Sequence, residues 1–116
     1  MLFRSERYVG EFKDDTYSGE GMLVAPNATR YQGQFQDGRF NGTGSLQLPN
    51  GDRYVGGFKD SKYEGQGLFV AANGETYEGS FAENLPNGRG TLRFANGDRY
   101  DGEFKEGLQN GQGIFQ

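Results

Sequence analysis

The 116-residue chain contains no cysteine, no histidine and no tryptophan. Without cysteine there is no disulfide framework, no thiolate nucleophile and no Cys-containing zinc site, and the redox state of the compartment leaves no mark. Without histidine the usual neutral-pH base and the commonest metal ligand are both missing. Apolar residues are also scarce, at 33%, and the mean hydropathy is −0.85, values typical of a chain with little to bury. No apolar run reaches the length of a membrane span or a signal-peptide core, so neither is expected, and a cytoplasmic or membrane-peripheral location is the expectation. Twelve Lys and Arg stand against 16 Asp and Glu, a net charge of −4, which argues against a nucleic-acid partner and gives anionic lipid little to attract. What the chain does have is glycine, 21 residues, and aromatic rings, 7 Tyr and 10 Phe.

These residues recur every 23 positions. Tyr8, Tyr31, Tyr54, Tyr77 and Tyr100 open five units; Gly10, Gly33, Gly56, Gly79 and Gly102 follow two residues later, and Phe12, Phe35, Phe58, Phe81 and Phe104 two after those. A Gly-x-Gly then closes each unit: Gly19 and Gly21, Gly42 and Gly44, Gly65 and Gly67, Gly88 and Gly90, Gly111 and Gly113. Both motifs alternate with period two, the spacing of a strand, so each unit reads as a β-hairpin. The polar stretch after Phe, such as Asp14–Ser18 and Asp37–Asn41, reads as the turn within the unit, and it holds Tyr17, Phe40 and Tyr63. Asn50-Gly51, Asn73-Gly74 and Asn96-Gly97 link successive units, and Asn-Gly predicts a tight type I′ connection there. The first link has Asn27-Ala28 instead and is expected to be looser or strained. About ten strands of roughly five to seven residues are predicted, with little or no helix.

Strict alternation places Tyr, Phe and all three glycines of a unit on one face, with Leu23, Leu46, Phe69, Leu92 and Phe115. Glycine weakens a strand. Its use here is to leave room for a ring to lie flat on the backbone, so that stacked hairpins bury a row of Tyr and Phe that no single unit could cover.

The unit from Tyr54 to Phe69, with Tyr-x-Gly-x-Phe, a turn, Gly-x-Gly and then an Asn-Gly link, resembles the MORN (membrane occupation and recognition nexus) repeat. The resemblance covers five copies, residues 8–30, 31–53, 54–76, 77–99 and 100–116, and residues 1–7 look like the tail of a preceding copy. It implies an all-β, extended single-layer ribbon of tandem hairpins, used for protein–protein contacts, sometimes for dimerisation, and in some members associated with membrane lipid. Arrays of this kind also accompany lipid kinases, a protein methyltransferase and junctional membrane proteins. The Lys/Arg-His frequent between Phe and Gly-x-Gly in the family is absent here.

No catalytic constellation can be assembled, so the chain reads as non-catalytic, with no cofactor and no metal site. Gly65-Gln66-Gly67 is half a phosphate fingerprint, but it recurs in every unit and no helix follows. Asp52, Glu75 and Asp98 repeat after Asn-Gly, which suits turn capping better than acid–base chemistry. The informative residues lie on the opposite hairpin face, which is apolar in the first unit (Val9, Met22, Val24) and the third (Val55, Leu68, Val70), with Ile114 in the fifth. At about 4.8 Å per strand the two clusters lie about 19 Å apart. Contiguous apolar surface of this kind points to a partner protein or a second copy, unless the twist of the ribbon covers it. The rival reading is peripheral lipid contact through Arg89 and Arg93, and a third is an accessory segment of a larger enzyme.

Overall fold

Each unit folds as two antiparallel strands, and the computed structural model describes residues 6–115, with the side chains of all but 109–112 and 115. Residues 1–5 of the expected tail, and the side-chain positions of Gly111 and Phe115, lie outside that description. The strands are β1 (Arg7–Lys13), β2 (Thr16–Val24), β3 (Arg30–Gln36), β4 (Arg39–Gln47), β5 (Arg53–Lys59), β6 (Lys62–Val70), β7 (Thr76–Ala82), β8 (Leu85–Arg93), β9 (Arg99–Lys105) and β10 (Leu108–Phe115). They form one ten-stranded meander in sequence order, a ribbon measuring 49 × 25 × 18 Å. Among the described residues there is no helix. The all-β, tandem-hairpin architecture is therefore the one the spacing predicts.

The turns are distributed differently from the expectation. Within each unit the connection is only two residues long: Asp14-Asp15, Asp37-Gly38, Asp60-Ser61, Glu83-Asn84 and Glu106-Gly107, every one with φ between 51° and 86°. Two consecutive left-handed residues are the type I′ signature, so this short pair with its leading Asp or Glu, and not Asn-Gly, makes that turn. The links between units are three-residue loops. Leu48 N–H donates to Asp52 O at 2.8 Å and Gly51 N–H to Leu48 O at 3.0 Å, and the same pair of bonds recurs at Ala71/Glu75 and Phe94/Asp98. Only the glycine is left-handed there, at 97–100°; the preceding Asn instead accepts the N–H of the residue after the glycine, as Asn50 Oδ1 does from Asp52 at 3.0 Å. The first link keeps this geometry, with Ala25 N–H to Thr29 O at 2.9 Å, but forces Ala28 to φ 79°. It is strained and not looser.

Because the internal turn is so short, Tyr17, Phe40 and Tyr63 are strand residues and not turn residues. Each stacks on the tyrosine that opens its own unit, at 3.8 Å for Tyr8–Tyr17 and Tyr31–Phe40 and 3.9 Å for Tyr54–Tyr63. The opening tyrosine also meets edge-on the Phe of the following unit: Tyr8–Phe35, Tyr31–Phe58, Tyr54–Phe81 and Tyr77–Phe104 lie 4.9–5.2 Å apart. Edge-to-face and offset-stacked rings are the favoured arrangements. Tyr31, Phe35, Leu46, Tyr54, Phe58, Tyr77, Phe81, Tyr100 and Phe104 are buried in this way. Tyr8 is half-buried, and Phe12, expected in the core, is 61% exposed.

Two of the glycine columns have distinct causes. The second glycine of each Gly-x-Gly is the floor for its own unit's tyrosine: a Cβ at Gly67 would sit 2.5 Å from Tyr54 Cζ, and Gly21, Gly44, Gly90 and Gly113 stand likewise under Tyr8, Tyr31, Tyr77 and Tyr100. The hydroxyl above that floor donates to the carbonyl three residues on, from 2.7 Å (Tyr31 to Gln34) to 3.2 Å (Tyr100 to Glu103), which explains Tyr rather than Phe in that column. The first glycine, by contrast, does not face the core. Three residues of β4 (Asn41, Gly42, Thr43) oppose Gln34 alone, because Gly33 pairs with Gly44 and Phe35 with Phe40. Gly42, at φ 93° in this bulge, turns toward the Gln34 side chain, and Gly19 and Gly88 likewise toward Glu11 and Ser80. The bulge overrides simple alternation for this column.

Candidate functional site

The strand register gathers the outward residues into rows that cross the whole sheet. One row runs Val9, Met22, Gln32, Ser45, Val55, Leu68, Glu78, Thr91, Asp101, Ile114, each paired with the next. Val9 (72% exposed), Val55 (54%) and Ile114 (62%) project into solvent, and Met22 and Leu68 are exposed too. Val24 and Val70 belong to the neighbouring row and are half-buried. The apolar residues singled out from sequence therefore form two patches, Val9/Met22 with Val24 and Val55/Leu68 with Val70, and Ile114 stands apart from both. Between the patches lies a shallow groove of about 490 Å³, floored by the backbone of Gly33, Gly44 and Gly56 and walled by Glu20, Gln32, Thr43, Ser45 and Val55.

The row of Val24 and Val70 carries a feature that the linear sequence hides. Its register runs Arg7, Val24, Arg30, Gln47, Arg53, Val70, Thr76, Arg93, Arg99. Five arginines, far apart in the chain, are collected along one line of one face. The available signal was the column before the opening tyrosine, which is Arg in four of the five units, Thr76 being the exception. Arg93 is part of this line. Arg89 is not: it lies in another row beside Glu103, with which it forms an exposed ion pair at 3.3 Å. At the far end of the line Arg99 Nε lies 2.9 Å from the Asp101 carboxylate, a charge contact off the hydrogen-bond direction. The Thr91 hydroxyl donates to Asp101 at 2.5 Å, and this bond, with the charges of Arg99 and Arg93, holds that carboxyl below the usual carboxylate range.

On the ring-bearing face the titratable groups are tyrosines. Burial pushes Tyr31 and Tyr54 up to about 12, against the smaller opposing effect of their hydroxyl bonds to Gln34 and Gly57 carbonyls. Tyr63 and Tyr77 are raised by burial as well. Among the described residues no group of three or more Asp or Glu is placed to hold a metal ion, and no helix is long and apolar enough to cross a membrane. Proteins built on this architecture generally serve as non-catalytic scaffolds.

Comparison with known proteins gives a match to the family model described as MORN repeat over residues 8–30, 31–53, 54–76, 77–99 and 100–116. No curated protein sequence matches the chain.

Proposed function

The chain belongs to the MORN repeat family, and from that premise we propose that it is a non-catalytic docking module that holds a partner protein along the outward face of its ribbon. The observation that supports this most directly is the single cross-sheet row in which Val9/Met22 and Val55/Leu68 stand exposed on either side of a glycine-floored groove. Two apolar anchors about 19 Å apart would seat on the patches. The adjoining arginine line would then select a partner with acidic groups beside its anchors and fix its direction, since charge complementarity governs specificity and on-rate more than affinity.

Leu68→Glu places a charge in the centre of the better-formed patch without touching the ring core. The expected outcome is that a photo-crosslinker at Val55 traps a defined protein from cell extract with the wild-type chain and loses it with Leu68→Glu, while the circular dichroism and melting of the variant are unchanged. Equal trapping by a folded variant would overturn the proposal. A solution mass that rises with concentration and reverts with Leu68→Glu would identify the occupant as a second copy.

The arginine line also favours a second reading, peripheral association with anionic lipid. Each basic residue near such a surface contributes about 1 kcal/mol, so Arg7, Arg30, Arg53 and Arg93 together offer a weak, salt-sensitive attraction that the net charge of −4 opposes. Cosedimentation with phosphatidylserine vesicles that disappears at physiological salt is expected if charge alone acts.

A further inference from the structure

The outward face carries far more positive charge than the net charge of −4 suggests. Alternation along the first strand of each hairpin, and the register of the second, put every described Lys and Arg on this face. Of the carboxylates only Glu11, Glu20, Glu78, Asp101 and Glu103 stand in its rows. At the turn end the positive charge is answered, because Arg39 pairs with Asp60 and Lys62 with Glu83, both at 3.7 Å. At the link end it is not. Arg7, Arg30 and Arg53 are exposed and, among the described residues, form no ion pair. Asp52, next to Arg53 in the chain, is spent on the loops: its carboxylate accepts Ala72 N–H at 2.7 Å and Asn50 Nδ2 at 3.2 Å.

These three arginines open alternate strands, β1, β3 and β5, so they recur at two strand spacings, about 9.6 Å. The parallel row two residues further along each strand holds the patches Val9/Met22 and Val55/Leu68, two such periods apart. The face thus presents a charged track and an apolar track side by side, both crossing the strands and both in step with the hairpins.

That period decides which ligand backbone can follow the two tracks. A β-strand repeats one face at about 6.6 or 13.2 Å, and neither fits. An α-helix returns to one face after seven residues, about 10.5 Å, and is out of step by about 2 Å over two hairpins. A polyproline II helix makes one turn of three residues in about 9.3 Å and is out of step by only about 0.6 Å over the same distance. Its three side-chain ridges allow one ridge on the arginines and the next on the apolar patches. Its backbone forms no internal hydrogen bonds and is fully solvated, so it can lie across a sheet face without needing a strand edge.

Resting on the docking-face reading above, we propose that the outward face receives a polyproline II segment of a partner protein with an acidic residue at every third position. The segment crosses the strands from β1 to β6, its carboxylates on Arg7, Arg30 and Arg53 and its apolar ridge on Val9/Met22 and Val55/Leu68. Opposite charge on the two tracks fixes the register of the complex.

The probe is a fluorescein-labelled peptide of four Glu-Leu-Pro triplets, in which proline biases the preceding Leu toward the extended conformation. The control, four Glu-Leu-Pro-Pro repeats, has the same number of Glu and Leu, but each successive Glu is turned away by about 120°. Fluorescence anisotropy in low-salt buffer should show saturable binding of the triplet peptide, at least about tenfold tighter than the control. Arg30→Gln combined with Arg53→Gln should weaken triplet binding about tenfold with unchanged circular dichroism, both side chains being exposed. Arg89→Gln, whose side chain is paired with Glu103 in another row, should bind as the wild type does. Absent or equal binding of the two peptides by the wild-type chain, a comparison that needs no variant, would overturn the proposal. So would unaltered binding by the folded double variant, or binding of phosphatidylserine vesicles without binding of the triplet peptide. If the peptides fail while the Val55 crosslinker still traps its protein from the wild-type chain and loses it with Leu68→Glu, the docking-face reading stands and the polyproline II segment alone is excluded.

Discussion

Ala28 is held at φ 79° by hydrogen bonds that its glycine counterparts satisfy without strain, so Ala28→Gly should stabilise the protein. A left-handed non-glycine residue costs about 1–2 kcal/mol, and the greater freedom of glycine in the unfolded chain takes back about 0.4–1 kcal/mol. The net expectation is a gain of about 0.5–1 kcal/mol. For 116 residues an unfolding entropy of roughly 2.1 cal/mol/K each gives about 240 cal/mol/K, and the gain appears as a melting temperature higher by about 2–4 °C. Gly74→Ala supplies the mirror experiment. Its φ is 97°, and an added Cβ meets nothing within 4 Å, so the conformational cost acts alone and a loss of similar size is expected. Gly51 is less suitable because the Ala72 Cβ stands 3.3 Å away. Thermal unfolding of the two variants and their combination, followed by calorimetry, reads both signs. If Ala28→Gly is neutral or destabilising while Gly74→Ala costs nothing, the strain argument is refuted.

Gly67→Ala drives a methyl into the Tyr54 ring, and overpacking of this kind should cost about 1–3 kcal/mol, measured as a lower urea midpoint; a wild-type midpoint would remove the ring-floor explanation. Alkaline pH should unfold the ribbon. Tyr31 and Tyr54 titrate near 12 when folded but at about 10 in an unfolded chain, so the folded state holds more protons between those values. Their contribution, on the order of 2 kcal/mol each, is fully present below pH ~10 and lost between about 10 and about 12. Tyrosinate absorbance corresponding to all 7 tyrosines that develops near pH ~10 with the circular dichroism intact would contradict this.

The period, the number of strands and the division into core and outward faces were legible because glycine and aromatic columns repeat without interruption. The turns were not, and the reason is loop length. Asn-Gly favours type I′ only in a two-residue loop, and the length is set by the Leu48–Asp52 pair, which no local motif announces. The genuine two-residue turns each open on an acidic residue, followed by Asp15, Gly38, Ser61, Asn84 or Gly107, and this varied pair was read as part of a longer polar turn, so Tyr17, Phe40 and Tyr63 were misplaced in turns with it. The bulge at Gly42 was hidden for a similar reason: two extra residues preserve the parity of everything after them. On the outward face the apolar patches could be read unit by unit. Of the arginine line, the column before the opening tyrosine was legible in four of the five units, while its alignment with Arg93, Val24 and Val70 in one row follows only from the register.

The edge contact between each opening tyrosine and the phenylalanine of the following hairpin gives the array a direction. A hairpin's phenylalanine depends on the hairpin before it, while its tyrosine covers the hairpin after it. Opening the ribbon from its N-terminal side therefore uncovers a phenyl ring at every step, while opening it from the other side leaves each remaining phenylalanine beneath its tyrosine. Such a chain should fray vectorially, one hairpin at a time, with successive openings coupled only to the next neighbour. Force applied at its two ends would meet unequal resistance, in the manner of a ratchet.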